Sequence, residues 1–133
     1  KISTRAEWIK NDVVDILRGG VGDLGGLTPL MKVAHLAESF NMAMEVHGGK
    51  EGNLHALGSM RLPGEFYERG LLHPHVDYEK PPDYLHEIMD PMDEEGFIHM
   101  PKGDGLGRKI NHDYINDNLI SGNDDKEKAR RSY

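Results

Sequence analysis

Two ionisable side chains stand at the predicted ends of β-strands, where parallel-sheet proteins usually place their chemistry. His47 closes the apolar run "MAMEVH" and is followed at once by Gly48-Gly49, and Glu68 stands near the end of "GEFYERG". A histidine titrates near neutral pH, so it can both accept and return a proton. A histidine at this position could therefore be a base, a metal ligand, or only the first polar residue of a loop.

The composition describes one globular, loop-rich domain. The chain has 133 residues, of which 37% are hydrophobic and 16 are glycine. A formal net charge of -7 argues against nucleic acid or an anionic membrane as a partner, because both would be repelled. The sequence has no apolar run near the roughly 18 residues of a membrane span and no cysteine for disulfides or thiolate metal sites. We expect a cytoplasmic protein and, since the chain starts at Lys1, a longer parent protein.

The elements that position these side chains are predicted from hydrophobic periodicity. A strand is predicted from Val13 to Arg18, with Val14 and Ile16 on one face. The segment "TPLMKVAHLAESF" predicts a helix, with Thr28 as the N-cap, Pro29 at the first helical position and an apolar stripe of Leu30, Val33, Ala37 and Phe40. Further elements are a strand over 42–47, a short helix over 53–60, a short strand over 64–70 with Phe66 and Glu68 on one side, and a late strand or hairpin arm over 96–101.

The succession of strand, helix and strand at this spacing predicts a βαβ crossover with two parallel strands. In such architectures ligands bind outside the carboxyl ends of the strands. Residues 18–20, His47 and residues 68–69 all lie at predicted strand ends. We therefore expect them to converge on one rim.

A glycine-rich stretch offers a competing function. Gly20, Gly22 and Gly25 match the G-x-G-x-x-G pattern of dinucleotide-binding folds, and Glu45 stands about where an acid would bind the ribose. In that fold, however, the third glycine lies inside the first helical turn, whereas the helix predicted here starts beyond it, at Thr28. Pyrophosphate would then miss the helix N-terminal amides. A plain glycine-rich turn is the simpler interpretation.

Two other stretches contain residue types that bind cations. His73, His75 and Asp77 are of metal-ligating types, but Pro74 between the histidines suits a loop. The segment "DPMDEEG" lacks the alternating oxygen ligands of a calcium loop, because Met92 takes the third position. We interpret it as an acidic turn before "GFIHMP".

The order of these segments resembles a known family. "VVDILRGGVGDLGGLTPLMKVAHLAESFNMAMEVH", then "FYERG", then "DPMDEEGFIHMPKGDGLG", resembles the C-terminal part of the enolase superfamily in its branch of mandelate racemase and muconate lactonizing enzyme. The resemblance runs from about Asp12 to Leu119. It implies an α/β fold, the C-terminal portion of a (β/α)7β TIM-like barrel over residues 1–121, supplying its last three strands. An irregular extension ends in a polar tail over 122–133, expected to be disordered.

The resemblance also implies an activity. Members of this superfamily bind Mg²⁺, which stabilises the enediolate formed when a proton next to a carboxylate is removed. Racemisation, dehydration or cycloisomerisation follows, and we favour an acid-sugar dehydratase, with a dinucleotide-binding module or a non-catalytic enolase-like protein as alternatives. The implied metal ligands belong to earlier strands absent from this chain, so no metal ligand is assigned here and the fragment alone is expected to be inactive. The implied partners are a small-molecule carboxylate, the missing N-terminal part and further copies of the protein.

The resemblance assigns roles residue by residue. His47 matches the general acid/base at the end of the seventh strand, and Glu68 matches the acid at the end of the eighth, which hydrogen-bonds the substrate carboxylate or the enediolate oxygen. For this role the resemblance implies a Glu68 carboxyl held neutral in a dry site, which could donate to the developing oxyanion. The aspartate that would orient the histidine falls at Gly20. Asp23 is the candidate substitute, or a substrate contact, if the loop folds inward. Otherwise the proton chemistry differs, with His47 unpartnered or acting only as an acid.

Overall fold

The computed structural model of the chain describes residues 1–49, 52–64, 66–69 and 80–120. Its elements in chain order are α1 (Ile2–Lys10), β1 (Leu17–Gly19), α2 (Val21–Leu24), α3 (Leu27–Ser39), β2 (Met44–Val46), α4 (Asn53–Ser59) and α5 (His112–Asp117). The candidate cation ligands His73, His75 and Asp77 and the polar tail over 122–133 lie outside the described residues. Within those residues, no helix has the length and apolar character needed to cross a bilayer.

Strands β1 and β2 pair in parallel, with α3 between them in the chain, as the spacing predicted. The register places Leu17 opposite Met44 and Gly19 opposite Val46. The pairing continues one step further, because the His47 backbone N–H donates to the Gly19 carbonyl at 2.9 Å. The fold is therefore α/β with parallel strands, and His47 directly follows the carboxyl end of β2.

Strand β1 starts later than the predicted Val13. The Val13 N–H donates to the Trp8 carbonyl, so Val13 belongs to the turn that ends α1, a helix that the periodicity did not predict. Ile16 is 51% exposed. Only from Leu17, whose N–H donates to Ala43 at 3.2 Å, does the chain meet hydrogen-bonding partners on the segment of β2.

Helix α3 buries the predicted apolar stripe against the sheet. Leu30, Val33 and Ala37 are fully buried, and with Leu17 and Met44 they belong to one core cluster. Burial of these side chains removes apolar surface from water and is the main stabilisation that this layer offers.

The ends of α3 differ from the prediction. The N-cap is Gly26 rather than Thr28, and Pro29 is the third helical residue rather than the first. Phe40 follows the last helical residue as the C-cap and is 60% exposed, so it does not continue the stripe. The apolar period located the helix, while its termini depend on local backbone geometry that the period does not encode.

The second face of the sheet carries polar side chains. Leu17 and Gly19 are buried and Arg18 between them is exposed, and on β2 the buried Met44 and Val46 enclose the less buried Glu45. This alternation is that of a strand with one face against a core. The more exposed face of the sheet therefore carries Arg18 and Glu45.

The predicted third strand is present in direction but not in length. Residues 62–64 run parallel to β2, with a bridge between Pro63 and Met44 and a 2.7 Å hydrogen bond from the Gly64 N–H to the Met44 carbonyl. The described residues 66–69 are not in a strand, and Phe66 is 75% exposed; Glu65 and Gly70 lie outside the described residues. Among the described residues of this segment, Gly64 makes the last hydrogen bond to β2.

The C-terminal predictions are confirmed in part. Helix α4 covers the predicted 53–60 segment to within a residue. An antiparallel bridge between Met92 and Ile98 makes "GFIHMP" a hairpin arm, and Asp93 closes the acidic turn by accepting the Phe97 N–H at 2.8 Å. Helix α5 was not predicted; Asn111 caps it by accepting the Tyr114 N–H.

Candidate active site

His47 and Glu68 meet at the carboxyl end of the sheet. His47 Nδ1 lies 2.9 Å from Glu68 Oε2. The same oxygen accepts a hydrogen bond from the Arg18 guanidinium and one from the Gly48 backbone N–H at 3.3 Å. The expectation that residues 18–20, His47 and residues 68–69 share one rim is confirmed.

The environment of Glu68 favours its charged form. Its hydrogen bond with His47 lowers the pKa of the carboxyl most, burial raises it, and the bonds from Arg18 and Gly48 lower it further. The net direction is downward, so Glu68 is ionised at neutral pH. This differs from the expectation of a neutral carboxyl, because every group placed on Oε2 is a hydrogen-bond donor or a cation.

An ionised acceptor at Nδ1 fixes the tautomer of the neutral imidazole. A neutral histidine donates from one ring nitrogen and accepts at the other. With Glu68 accepting from Nδ1–H, Nε2 is the nitrogen that can take a proton. We infer this tautomer from the hydrogen bond.

Asn53 holds the two strand ends together. It is fully buried at the start of α4, and its Nδ2 donates to the carbonyls of His47 at 2.9 Å and Gly48 at 2.6 Å. Its Oδ1 accepts the Val21 N–H at 2.9 Å. Sequence reasoning missed this residue, whose one signal is an amide opening a helix that is otherwise apolar on its buried face.

Gly20 has a steric reason to be glycine. A Cβ at this position would lie 2.5 Å from the His47 carbonyl oxygen and 3.2 Å from Asn53 Nδ2. The backbone itself is extended, with φ of -140° and ψ of 172°, so the constraint is contact and not conformation. An aspartate here would force the two strand ends apart, which explains why the expected orienting carboxylate is missing.

Asp23 shares a cleft with His47 without bonding to it. Asp23 is exposed on α2 and lines a cleft of about 320 Å³ together with Arg18 and His47. In the part of the chain that the structure describes, the side-chain partner of His47 is Glu68 and not Asp23. Arg5 also lines the cleft and donates to the Arg18 carbonyl at 2.9 Å, so two guanidinium groups favour an anionic ligand there.

The glycine run does not form a phosphate loop. The N–H of Val21 is already bound to Asn53, and Gly25 ends the short α2 in a left-handed conformation before α3 begins at Leu27. The segment is thus neither a dinucleotide loop leading into one helix nor the plain turn of the simpler interpretation. Gly22 lies within α2, and Glu45 stands opposite Arg18 in the register.

Magnesium ligands are not assembled in the described part of the chain. Among residues 1–49, 52–64, 66–69 and 80–120, no group of three or more His, Cys, Asp or Glu side chains could hold a metal ion. The described site residues therefore do not form a metal centre of their own.

Comparison with known proteins assigns the class. The sequence profile of the family described as enolase C-terminal domain-like matches residues 2–114. The chain belongs to this family, which confirms the resemblance.

A solved structure is similar over most of the chain. The crystal structure of D-glucarate dehydratase from Agrobacterium tumefaciens complexed with magnesium superposes with a TM-score of 0.83 and 48% sequence identity. The match covers 91% of this chain and 31% of that chain. The chain therefore corresponds to the C-terminal part of the barrel in that enzyme and spans about a third of its length.

The close contact at Gly20 predicts that alanine at position 20 destabilises the protein more than alanine at position 58. Gly20→Ala places a methyl against the fixed His47 carbonyl, so we expect a loss of roughly 1–3 kcal/mol in the free energy of unfolding. Gly58→Ala is the matched control, because its Cβ would meet the flexible end of Met100 at 2.9 Å in a helix that favours alanine. Urea unfolding measures both. Equal stability of the two variants would contradict the steric account.

The charge of Glu68 predicts its titration. Its carboxyl ¹³C signal should titrate with a midpoint below the ordinary 4.5, and Arg18→Ala should raise that midpoint. Because the folded pKa is lowered, the stabilisation is complete above the pKa of the unfolded chain and is lost as the pH falls through the folded value. Lys109→Ala, which removes a cation paired with Glu87, is the control. A midpoint at or above 4.5 would contradict the claim that its hydrogen-bond donors stabilise the Glu68 carboxylate.

Proposed function

We propose that the whole protein is a Mg²⁺-dependent acid-sugar dehydratase and that this chain supplies its acid/base histidine. The observation that carries the proposal is the hydrogen bond between His47 Nδ1 and Glu68 Oε2 at the carboxyl end of a parallel sheet. The likeness to a D-glucarate dehydratase makes D-glucarate, or a related sugar diacid, the substrate to test first. Because the chain spans only part of that enzyme, the assignment concerns the whole protein.

His47 is the proton-transfer group of this proposal. Its side chain is half exposed and lines the cleft, and Nε2 is the atom left to react. As a base it takes the proton next to the substrate carboxylate, and as an acid it returns a proton to the hydroxyl that leaves from the neighbouring carbon. Loss of water in this way yields an enol that becomes a 2-keto acid.

In this proposal Glu68 orients the His47 ring and stabilises its protonated form. An ionised carboxylate accepts hydrogen bonds and cannot donate one to an enediolate oxygen. We therefore assign Glu68 to holding the Nδ1–H tautomer and to stabilising the imidazolium that forms after proton transfer, as carboxylate partners of histidine do elsewhere. It takes over the role of the aspartate that Gly20 cannot supply.

Arg18 and Asp23 face the substrate in this account. Arg18 is half exposed in the cleft and brings positive charge next to His47, which favours binding of a carboxylate. Asp23 lies on the same cleft and suits a hydrogen bond from a substrate hydroxyl. Its role as a substitute for the orienting aspartate is not needed once Glu68 fills that place.

The described residues would act beside Mg²⁺ and would not themselves bind it. When bound, it supplies Lewis-acid stabilisation of the enediolate. We expect its ligands on strands outside this chain. The homo-oligomer and the cytoplasmic location stay predictions.

Substitution of His47 tests the proposal. In the full-length enzyme with Mg²⁺, His47→Asn should keep the fold and metal binding but lower the formation of 2-keto acid by about 10² to 10⁴. This corresponds to roughly 3–5 kcal/mol of activation free energy. His35→Asn is the matched control and should leave turnover near the wild-type value, because His35 is exposed on α3 and does not line the cleft.

Either of two results would contradict the proposal. Near-normal turnover by His47→Asn would make the histidine a loop residue without a chemical role. Failure of the wild-type protein to turn over any member of a sugar-acid collection with Mg²⁺ would favour a non-catalytic enolase-like protein.

A further inference from the structure

A buried carboxylate that takes no part in the proton chemistry lies behind the site. Asp90 is 3% exposed, and its Oδ2 accepts a hydrogen bond from the Tyr67 hydroxyl at 3.0 Å. Its Oδ1 lies 3.7 Å from Nε of Arg69, which is itself 7% exposed. Both partners are sequence neighbours of Glu68. A buried carboxyl that contacts the residues on both sides of Glu68 is placed to control the direction of the Glu68 side chain.

The side chains around Glu68 point in alternate directions. Tyr67 and Arg69 reach Asp90, while Glu68 between them reaches His47. Residues 66–69 are not part of a strand in the structure, and the contacts of Tyr67 and Arg69 with Asp90 help to fix the rotation of this segment. A rotation by one residue would turn Glu68 away from His47.

Asp90 also lies against the loop that follows His47. A Cβ on Gly49 would lie 2.8 Å from Asp90 Oδ2 and 3.3 Å from the Tyr67 hydroxyl. Gly49 does not have a positive φ, so space and not conformation requires glycine there. One buried group thus contacts both segments that carry the His47–Glu68 pair.

The surroundings of Tyr67 keep its hydroxyl protonated. Burial, and then the neighbouring charge of Asp90, raise the pKa of Tyr67, so its hydroxyl stays protonated and donates. The Arg108 guanidinium donates to the Met89 carbonyl and thereby holds the chain next to Asp90. The buried Asp90 carboxyl and these fixed donors form a rigid anchor.

We propose that Asp90 is a positioning residue, which through Tyr67 and Arg69 aims Glu68 at His47 and through Gly49 sets the distance of the His47 loop. The expected effect on activity rests on the proposed function, whereas the expected effect on the geometry of Glu68 does not. Sequence reasoning passed over Asp90 as the first residue of an acidic turn.

The test measures turnover and the Glu68 titration together in full-length protein. Tyr67→Phe removes one oxygen and leaves the packing, so it is the first variant, with Asp90→Asn as the second. Each should lower kcat by roughly 10-fold or more with a smaller change in KM, because a misplaced catalytic pair slows chemistry more than binding. Each should also raise the ¹³C midpoint of Glu68, whose pKa is lowered most by its bond with His47.

Asp93→Asn is the matched control. It makes the same substitution in the exposed turn, where Asp93 bonds to His99 and not to the segment of Glu68. It should leave kcat and the Glu68 midpoint near their wild-type values.

A second measurement uses the contact at Gly49. Gly49→Ala alone should lower kcat by pushing on Asp90, and the same substitution in an Asp90→Ala background should cost less, so that the two effects are not additive. Additive effects would contradict a direct contact between Asp90 and the His47 loop.

The outcomes separate the two proposals. If Tyr67→Phe and Asp90→Asn lower the melting temperature but leave kcat and the Glu68 midpoint unchanged, the cluster serves the fold alone and the positioning role is wrong. If the wild-type protein shows no dehydratase activity, the proposed function fails. The Glu68 midpoint then still decides the positioning role: a rise supports it, and an unchanged value overturns it.

Discussion

The carboxyl ends of β1 and β2 lie so close that no side chain fits between them at position 20. A Cβ there would come within 2.5 Å of the His47 carbonyl oxygen. The buried amide of Asn53 fills the remaining space and bonds both strand ends, with partners as far apart as Val21 and Gly48. This contact places His47 at the rim, because its backbone N–H is bound to Gly19 and its carbonyl to Asn53.

The close approach has a chemical consequence for the histidine. A carboxylate that orients an imidazole must reach Nδ1, and residue 20 cannot carry one. Glu68 reaches it from the other side, and Arg18 and the Gly48 N–H keep that carboxyl ionised. A charged partner fixes the tautomer and stabilises the protonated ring, which are the requirements of a histidine that takes and returns a proton. In the proposed function, Glu68 thus takes the part of the orienting carboxylate.

Local sequence patterns predicted the parts of the site that depend on hydrophobic periodicity and on strand direction. The apolar stripe of α3 and the apolar run before His47 encode buried faces, so the parallel pair and the shared rim followed from the sequence. The period could not show that Asn53 would bond to Val21 or that Asp90 would bond to Tyr67, since those partners are 32 and 23 residues apart. The start of β1 and the extent of the third strand also depend on which backbone groups find partners, and composition does not specify that.

The ¹⁵N chemical shifts of the His47 ring test the central claim most directly, since they report which nitrogen carries the hydrogen. With selectively labelled full-length protein at a pH where the ring is neutral, the account predicts a protonated Nδ1 and an unprotonated Nε2. In Glu68→Gln this preference should weaken, because the charged acceptor is gone. A ring protonated at Nε2 in the wild-type protein, or shifts that Glu68→Gln leaves unchanged, would contradict the claim that Glu68 orients His47.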